Sequence, residues 1–239
     1  MDNLSKRRVV TVDGLAGSGK TSIAGELAKR TGFALLNSGL LYRAVGWMVI
    51  ENGGSPGDVE LSTRMAKEHR YSLREGGLGV QLILVDGVPI TADLTCPQIS
   101  EAASQVASYP GVREALLGAQ RDAFPDRGLI AEGRDMGTVL FPDAPAKFFV
   151  TAPVDLRVAR RMAQLLAKSP TQGTRERDNL EAEISREIID RDARDSTRAI
   201  SPTKPASDSV LIDNSVGSLT EVVDRMYDSL LARGIVSRA

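Results

Sequence analysis

The residues with the most specific chemistry are Gly14-Leu15-Ala16-Gly17-Ser18-Gly19-Lys20-Thr21, which fit the pattern G-x-x-x-x-G-K-[ST]. Glycines in such a string let successive backbone N–H groups turn inward on phosphate oxygens. Lys20 then reaches the terminal phosphates, and the Thr21 hydroxyl is placed to ligate Mg2+. The mechanism requires that the loop follow a strand and open a helix, and both conditions are met here. Arg8 to Asp13 is a short β-branched run, and Lys20 to Arg30 carries helical apolar spacing at Ile23, Ala24, Leu27 and Ala28. A glycine turn that serves only packing is the alternative, and motif and context together outweigh it. A nucleoside triphosphate with Mg2+ is therefore the expected ligand. The loop alone does not select a reaction, because GTPases, motor ATPases and small-molecule kinases all use it.

A second group of residues addresses the acceptor. Of the 30 basic residues 23 are Arg and 7 are Lys, and Arg suits bidentate contact with phosphate and carboxylate. The stretch from Asp155 to Arg198 holds nine Arg and nine acidic residues, and within it Arg191, Asp195 and Arg198 stand at i, i+4 and i+7 on one helix face. Ordinary surface ion pairing produces the same spacing. Transfer between two phosphates needs cations on both and little general base, so a chain with one histidine, His69, meets no obstacle. That single histidine excludes a histidine metal cluster and reads as a surface residue. The single cysteine, Cys96, excludes an internal disulfide and a thiolate-rich zinc site.

A length of 239 residues with 42% hydrophobic and 26% charged content suits a globular protein with a substantial core. A net charge of -1 makes no electrostatic case for nucleic acid or an anionic membrane as partner. No stretch approaches the roughly 18 apolar residues of a membrane span, and Met1 to Arg8 has no apolar signal core, so a cytoplasmic location is expected. A monomer is expected from a near-neutral chain with no evident exposed apolar helix.

The elements that must position these residues follow in alternation. After the phosphate loop and its helix, closed by Gly32, comes the apolar run Phe33 to Leu36 and a helix from about Ser38 to Glu51, with Ser38 suited to cap it. Further strands are expected at Gly128 to Ala131, Lys147 to Val150 and Val210 to Ile212. The last helix opens on a capping box, Ser218 to Glu221, with Val222, Met226 and Leu230 on one face. This predicts an α/β fold with a five-stranded parallel sheet flanked by helices. Between about residues 70 and 95 the pattern changes: Val80 to Val85 and Val88 to Ile90 flank Asp86-Gly87, an antiparallel hairpin signal. A helical segment from Gln98 to Arg121, broken near Tyr109-Pro110-Gly111, follows it, and Ser169 to Gly173 reads as a turn between two charged helices.

Several motifs lie in order behind the phosphate loop: Asn37-Ser38-Gly39-Leu40-Leu41-Tyr42-Arg43, Ala103-Ser104-Gln105-Val106-Ala107, Pro110 with Val112-Arg113-Glu114, Glu132-Gly133-Arg134-Asp135-Met136-Gly137-Thr138, and Arg191-Asp192-Ala193-Arg194-Asp195-Ser196-Thr197-Arg198. With these the chain, from residue 8 to 232, closely resembles bacterial cytidylate kinase. The resemblance implies a P-loop nucleoside monophosphate kinase that moves the γ-phosphoryl of ATP to CMP or dCMP. It implies one kinase domain: a core (about 1-61, 122-154, 199-239), a small antiparallel CMP-binding insert (about 62-121) and a helical lid (about 155-198).

Residue by residue, the resemblance implies that Arg43, Arg134 and Arg198 grip the acceptor phosphate and that Arg191 and Asp195 approach its sugar and the lid. Ser104, Arg113 and Asp135 frame the cytosine, and Ser38 lies near the acceptor nucleotide. Lys20, Arg134, Arg191 and Arg198 serve the transfer, while Arg160 and Arg161 reach the transferring phosphoryl from the lid. Other acceptors such as UMP, and a regulatory or non-catalytic nucleotide-binding role, are the alternatives; the chain has no guanine-reading Asn-Lys-x-Asp string. Four departures stand out, the first being Glu132 at a position where Asp is also found. Asn37 replaces a common Asp, Leu94 replaces a frequent Arg and implies looser insert contacts, and the stretch from Met162 to Arg191 is longer than usual.

Overall fold

The computed structural model describes residues 8–76, 81–168 and 174–237, with the backbone path alone at residues 168 and 174–178. Five strands form one wholly parallel sheet: β1 (Val9–Gly14), β2 (Ala34–Asn37), β6 (Leu129–Gly133), β7 (Ala146–Thr151) and β8 (Val210–Asp213), in the order β2-β6-β1-β7-β8. The five expected strands are all present, displaced by a residue or so. β1 is buried along its whole length because it is central and covered on both faces, which is why its sequence shows a continuous apolar run.

Helices α1 (Lys20–Thr31) and α8 (Leu219–Ala232) cover one face of the sheet through a core that includes Ile23, Leu27, Phe148, Val222, Met226 and Leu230. Val9, Leu36, Leu129, Met136 and Leu140 fill the other face. The expected capping box at Ser218 and Glu221 is formed, and Gly32 closes α1 in the left-handed conformation.

Helix α2 (Ser38–Glu51) leads out of the sheet to a second core. That core gathers α3 (Val59–Glu68), a three-stranded antiparallel sheet of β3 (Tyr71–Glu75), β4 (Gln81–Val85) and β5 (Val88–Pro89), and helices α4 (Pro97–Val106) and α5 (Pro110–Arg121). The hairpin turns on Asp86 and Gly87, both at positive φ (52° and 82°), as an Asp-Gly pair predicts. Val80 of the expected strand lies outside the described residues. The predicted helical break near Pro110 separates α4 from α5. Strand β3 has no clear signal in the sequence, whereas α3 accounts for the polar helical stretch that the sequence shows beside His69. The signs were there in Asp58, whose side chain caps α3 by accepting from Leu61 N, and in the buried face Ser62, Met65 and Ala66. His69 follows α3, and its Nδ1 lies 2.6 Å from Asp86 Oδ2, away from the phosphate loop.

Two charged helices, α6 (Val154–Lys168) and α7 (Thr174–Thr197), pack on each other through a small core of Val158, Ile184 and Ile188. The turn expected at Ser169 to Gly173 lies outside the described residues.

Candidate active site

The carboxyl ends of β1, β2 and β6 meet at one level, with Asn37 beside Glu132 and Asp13 beside Gly133. Here the strand order reverses about β1, and a crevice opens where parallel sheets of this kind place their ligands. The phosphate loop runs from β1 into α1 over this crevice. Glycine is required at two of its positions for different reasons. At Gly14 a side chain would meet the backbone of β7, with Val150 O 2.2 Å from an added Cβ. At Gly19, φ +86°, it would meet the Asn214 amide at 2.5 Å. The first amides of α1 have no acceptor within the helix and face the crevice with its positive end.

Lys20 is buried, donates to Leu15 O at 3.0 Å and lies 3.9 Å from Glu132 Oε1. Burial, with Arg134 and Arg191 nearby, pushes its ammonium down to about 7, against the pull of Glu132. Thr21, the next residue, is exposed at the cleft wall.

The cleft beyond the loop has a volume of about 740 Å3, and it brings together the predicted acceptor residues from five elements. Arg43 comes from α2, where its Nη1 donates to Leu94 O at 2.6 Å. Leu94 is itself buried in the second core. Ser38 is buried as the first residue of α2. Asn37, not Ser38, takes the cap position, and Asn37 N donates to Gln81 Oε1 at 2.9 Å.

Arg134 and Asp135 follow β6 and open a short π-helical turn, Met136–Leu140. Arg134 Nε donates to Asp195 Oδ2 at 3.1 Å. Arg191 and Arg198 lie 3.8 Å from the same carboxylate, so the i, i+4, i+7 set is a cluster around a buried Asp195 and not a surface ion pair. Burial opposes ionisation of Asp195, but Arg134, Arg191 and Arg198 outweigh it and hold its carboxyl below the usual range. Burial and Arg134 in turn push the Arg191 guanidinium down to about 10. Arg191 Nε and Arg198 Nη2 are buried with no hydrogen-bond partner among the described residues. Three guanidiniums thus share one carboxylate, and the excess positive charge faces the cleft.

At the inner end of the cleft Arg113 and Asp135 form a buried ion pair, with Arg113 Nη1 also donating to Ala107 O at 3.1 Å. Ser104 on α4 accepts from Arg194 at 2.8 Å. Arg160 donates to Asn214 O at 2.7 Å and stands against the phosphate loop at Ser18 O, while Arg161 lines the cleft. Four neighbours of the site were not singled out from the sequence. Asp13 accepts from Met136 N and Gly137 N, both at 2.8 Å, and Arg157, Asp192 and Arg194 come from the two charged helices. Asp192 and Arg194 stand inside the quoted Arg191 to Arg198 motif, but a motif does not say which of its members face the loop.

A glycine-rich phosphate loop at the switch point of a parallel sheet, facing a cleft with excess guanidinium charge, defines a P-loop phosphotransferase with a second, anionic substrate. Comparison with known proteins narrows the class. The family model described as cytidylate kinase matches residues 10–231, and the chain belongs to that family. It is 40% identical to the cytidylate kinase of Pseudomonas savastanoi pv. phaseolicola (strain 1448A / Race 6) over 96% of its own length and 98% of that protein. It is 41% identical to the cytidylate kinase of Pseudomonas fluorescens (strain SBW25), with 96% and 98% covered.

Proposed function

We propose that the chain transfers the γ-phosphoryl group of ATP to CMP and dCMP, yielding CDP or dCDP and ADP. An oxygen of the acceptor phosphate attacks the γ-phosphorus in line, and the bond from that phosphorus to the bridging oxygen of ADP breaks. The observation that carries the reading is the cluster of the half-buried Arg134, Arg191 and Arg198 guanidiniums around the buried Asp195, opposite Lys20 in one cleft. It answers the repulsion between two phosphates that must approach each other. Arg43, Arg134 and Arg198 hold the acceptor phosphate, and Arg191 and Asp195 serve its sugar. Lys20 and the amides from Gly14 to Thr21 hold the triphosphate, with Arg160 and Arg161 of α6 closing over it, and α6 and α7 together act as the lid. Catalysis then rests on positioning and charge stabilisation, with no general base required.

For the base, Asp135 accepts from the cytosine amino group and Arg113 donates to its ring acceptors, with Ser104 and Ser38 alongside. Their burial supports discrimination, since a base with the opposite donor pattern leaves buried groups unpaired.

Mg2+ accompanies the nucleotide in this reading. Thr21 presents an exposed hydroxyl at the loop, and among the described residues no three His, Cys, Asp or Glu side chains gather to hold a metal. That donor set suits an ion held largely by phosphate oxygens with Thr21 as one ligand. When bound, it neutralises charge on the β- and γ-phosphates. The protein acts as a monomer on small-molecule substrates in the cytoplasm. No helix among the described residues is long and apolar enough to cross a membrane.

The test is a coupled ADP-release assay with ATP and Mg2+, offering CMP, dCMP, UMP, AMP and GMP separately against a blank without acceptor. Turnover with CMP and dCMP alone is expected. Turnover with UMP alone overturns the base assignment, and activity equal to the blank throughout overturns the kinase reading.

A further inference from the structure

Ala16, in the phosphate loop, has both of its backbone polar groups held by side chains from the two charged helices. Its N–H donates to Asp192 Oδ1 of α7 at 3.0 Å, and its carbonyl accepts from Arg157 Nη1 of α6 at 2.8 Å. The same Arg157 nitrogen pairs with Asp192 Oδ2, and Arg157 Nε is anchored on Ala152 O at 3.0 Å. Arg157 is 3% exposed, and the next loop residue, Gly17 at φ +71°, sits so close that an added Cβ would lie 3.3 Å from Arg157 Cβ. Arg160 and the Asn214 amide donate to Ser18 O, Leu15 N donates to Val150 O of β7, and the Lys20 ammonium reaches back to Leu15 O, so the loop is held at several points besides Ala16.

The position of Asp192 on α7 gives the clasp a second consequence. A helix turns about 100° per residue, so Asp192 points to the loop while Arg191 and Asp195 point into the acceptor cleft. One rigid helix therefore carries both the acceptor-facing cluster and the loop-facing carboxylate. Helix α6, which supplies Arg157, is tied to α7 by the shared apolar core of Val158, Ile184 and Ile188. A displacement of α7 on gripping an anionic acceptor cannot leave the Ala16 clasp in place unless the phosphate loop moves with it.

We propose that Arg157 and Asp192 are positioning residues that transmit occupancy of the acceptor cleft to the phosphate loop, so that acceptor and nucleotide bind interdependently. This rests on the kinase reading above. Neither side chain touches the reacting atoms; each acts through the Ala16 peptide. By linkage the effect is reciprocal: the factor by which CMP tightens nucleotide binding equals the factor by which the nucleotide tightens CMP binding.

The experiment measures, by titration calorimetry, the Kd of the non-hydrolysable β,γ-imido analogue of ATP with Mg2+, with and without saturating CMP. It uses the wild-type chain, Asp192→Ala, Asp192→Asn and Arg157→Lys, each first shown to unfold cooperatively. In the wild type CMP should tighten analogue binding about fivefold or more, within the usual range of coupling between sites. In Asp192→Ala the ratio should fall towards one. Asp192→Asn keeps an acceptor for Ala16 N–H but loses the charge pair, so its ratio should be intermediate. It also supplies the answer should the alanine variant fail to fold. A wild-type ratio of one, or a wild-type ratio preserved in the folded Asp192 variants, overturns the proposal. Failure of the wild type to turn over CMP in the ADP-release assay overturns the kinase reading instead, so the two failures are distinct.

Discussion

Asp13 is 4% exposed, and its carboxylate accepts the amides of Met136 and Gly137, the first of the π-helical turn that presents Arg134 and Asp135. Burial pushes its carboxyl up to about 7, with Asp135 and Glu132 adding to the effect and the two amides opposing it. A carboxyl whose folded value lies above its ordinary 3.8 contributes stability that is fully present below about pH 4 and is lost as pH rises through about 7. Asp13→Asn has no such titration. Urea unfolding across this range should therefore show the gap between wild type and Asp13→Asn narrowing as pH rises; a constant gap refutes the account. Arg134 is a residue of a different kind, because its guanidinium faces the cleft and holds Asp195 at 3.1 Å. Its proposed role in the transfer predicts that Arg134→Ala lowers kcat about 100-fold, the scale of a lost electrostatic donor. A near-normal rate in a folded variant removes Arg134 from the transfer step.

Helices α2 and α4 cross closely at Gly46, where an added Cβ would lie 2.9 Å from Ala102 Cβ and 3.2 Å from the α4 backbone. Glycine inside a helix costs about 1 kcal/mol relative to alanine, and the close crossing is the physical reason for it here. The crossing places Ser104 of α4 in the same cleft as Arg43 of α2. Gly46→Val should push the helices apart, destabilise the fold by about 1–3 kcal/mol and raise KM for CMP while leaving KM for ATP near its starting value. Equal changes in both constants argue against a local effect on the acceptor side. At the edge of the main sheet, Gln81 does the work of a neighbouring strand. Its amide donates to Leu35 O at 2.5 Å and accepts from Asn37 N at 2.9 Å, tying β4 to β2 next to the cleft.

On the scale of the molecule, one cleft is assembled from the main sheet, the second core around α2 to α5, and the α6–α7 pair, each with its own apolar cluster. Ligands that bridge these parts bind the folded chain and not the unfolded one. CMP at 100 times its Kd should add about 2.7 kcal/mol, which raises the thermal midpoint by about 5–10 °C in a chain of this size. Scanning calorimetry checks this, and GMP at the same concentration should give little shift if Arg113 and Asp135 select the base.

Much of this architecture follows from short-range pattern. The phosphate loop, the Asp86-Gly87 hairpin, the capping box at Ser218 and the five apolar strand runs are each decided within a few residues, by φ preferences, capping and apolar periodicity, and so stand legible in the sequence. Membership of a kinase family was legible too, because several ordered motifs carry it. Other features depend on contacts between residues far apart in the chain. The spacing of Arg191, Asp195 and Arg198 suits a surface ion pair and a buried cluster equally; only the approach of Arg134 and the burial of Asp195 decide between them. Likewise Asp13 meets Met136, Arg113 meets Asp135, and Asp192 meets Ala16 only after β6 has inserted between β1 and β2 and α7 has packed over the loop. A charge pattern records which groups are available, whereas their partners and burial are set by how the elements pack.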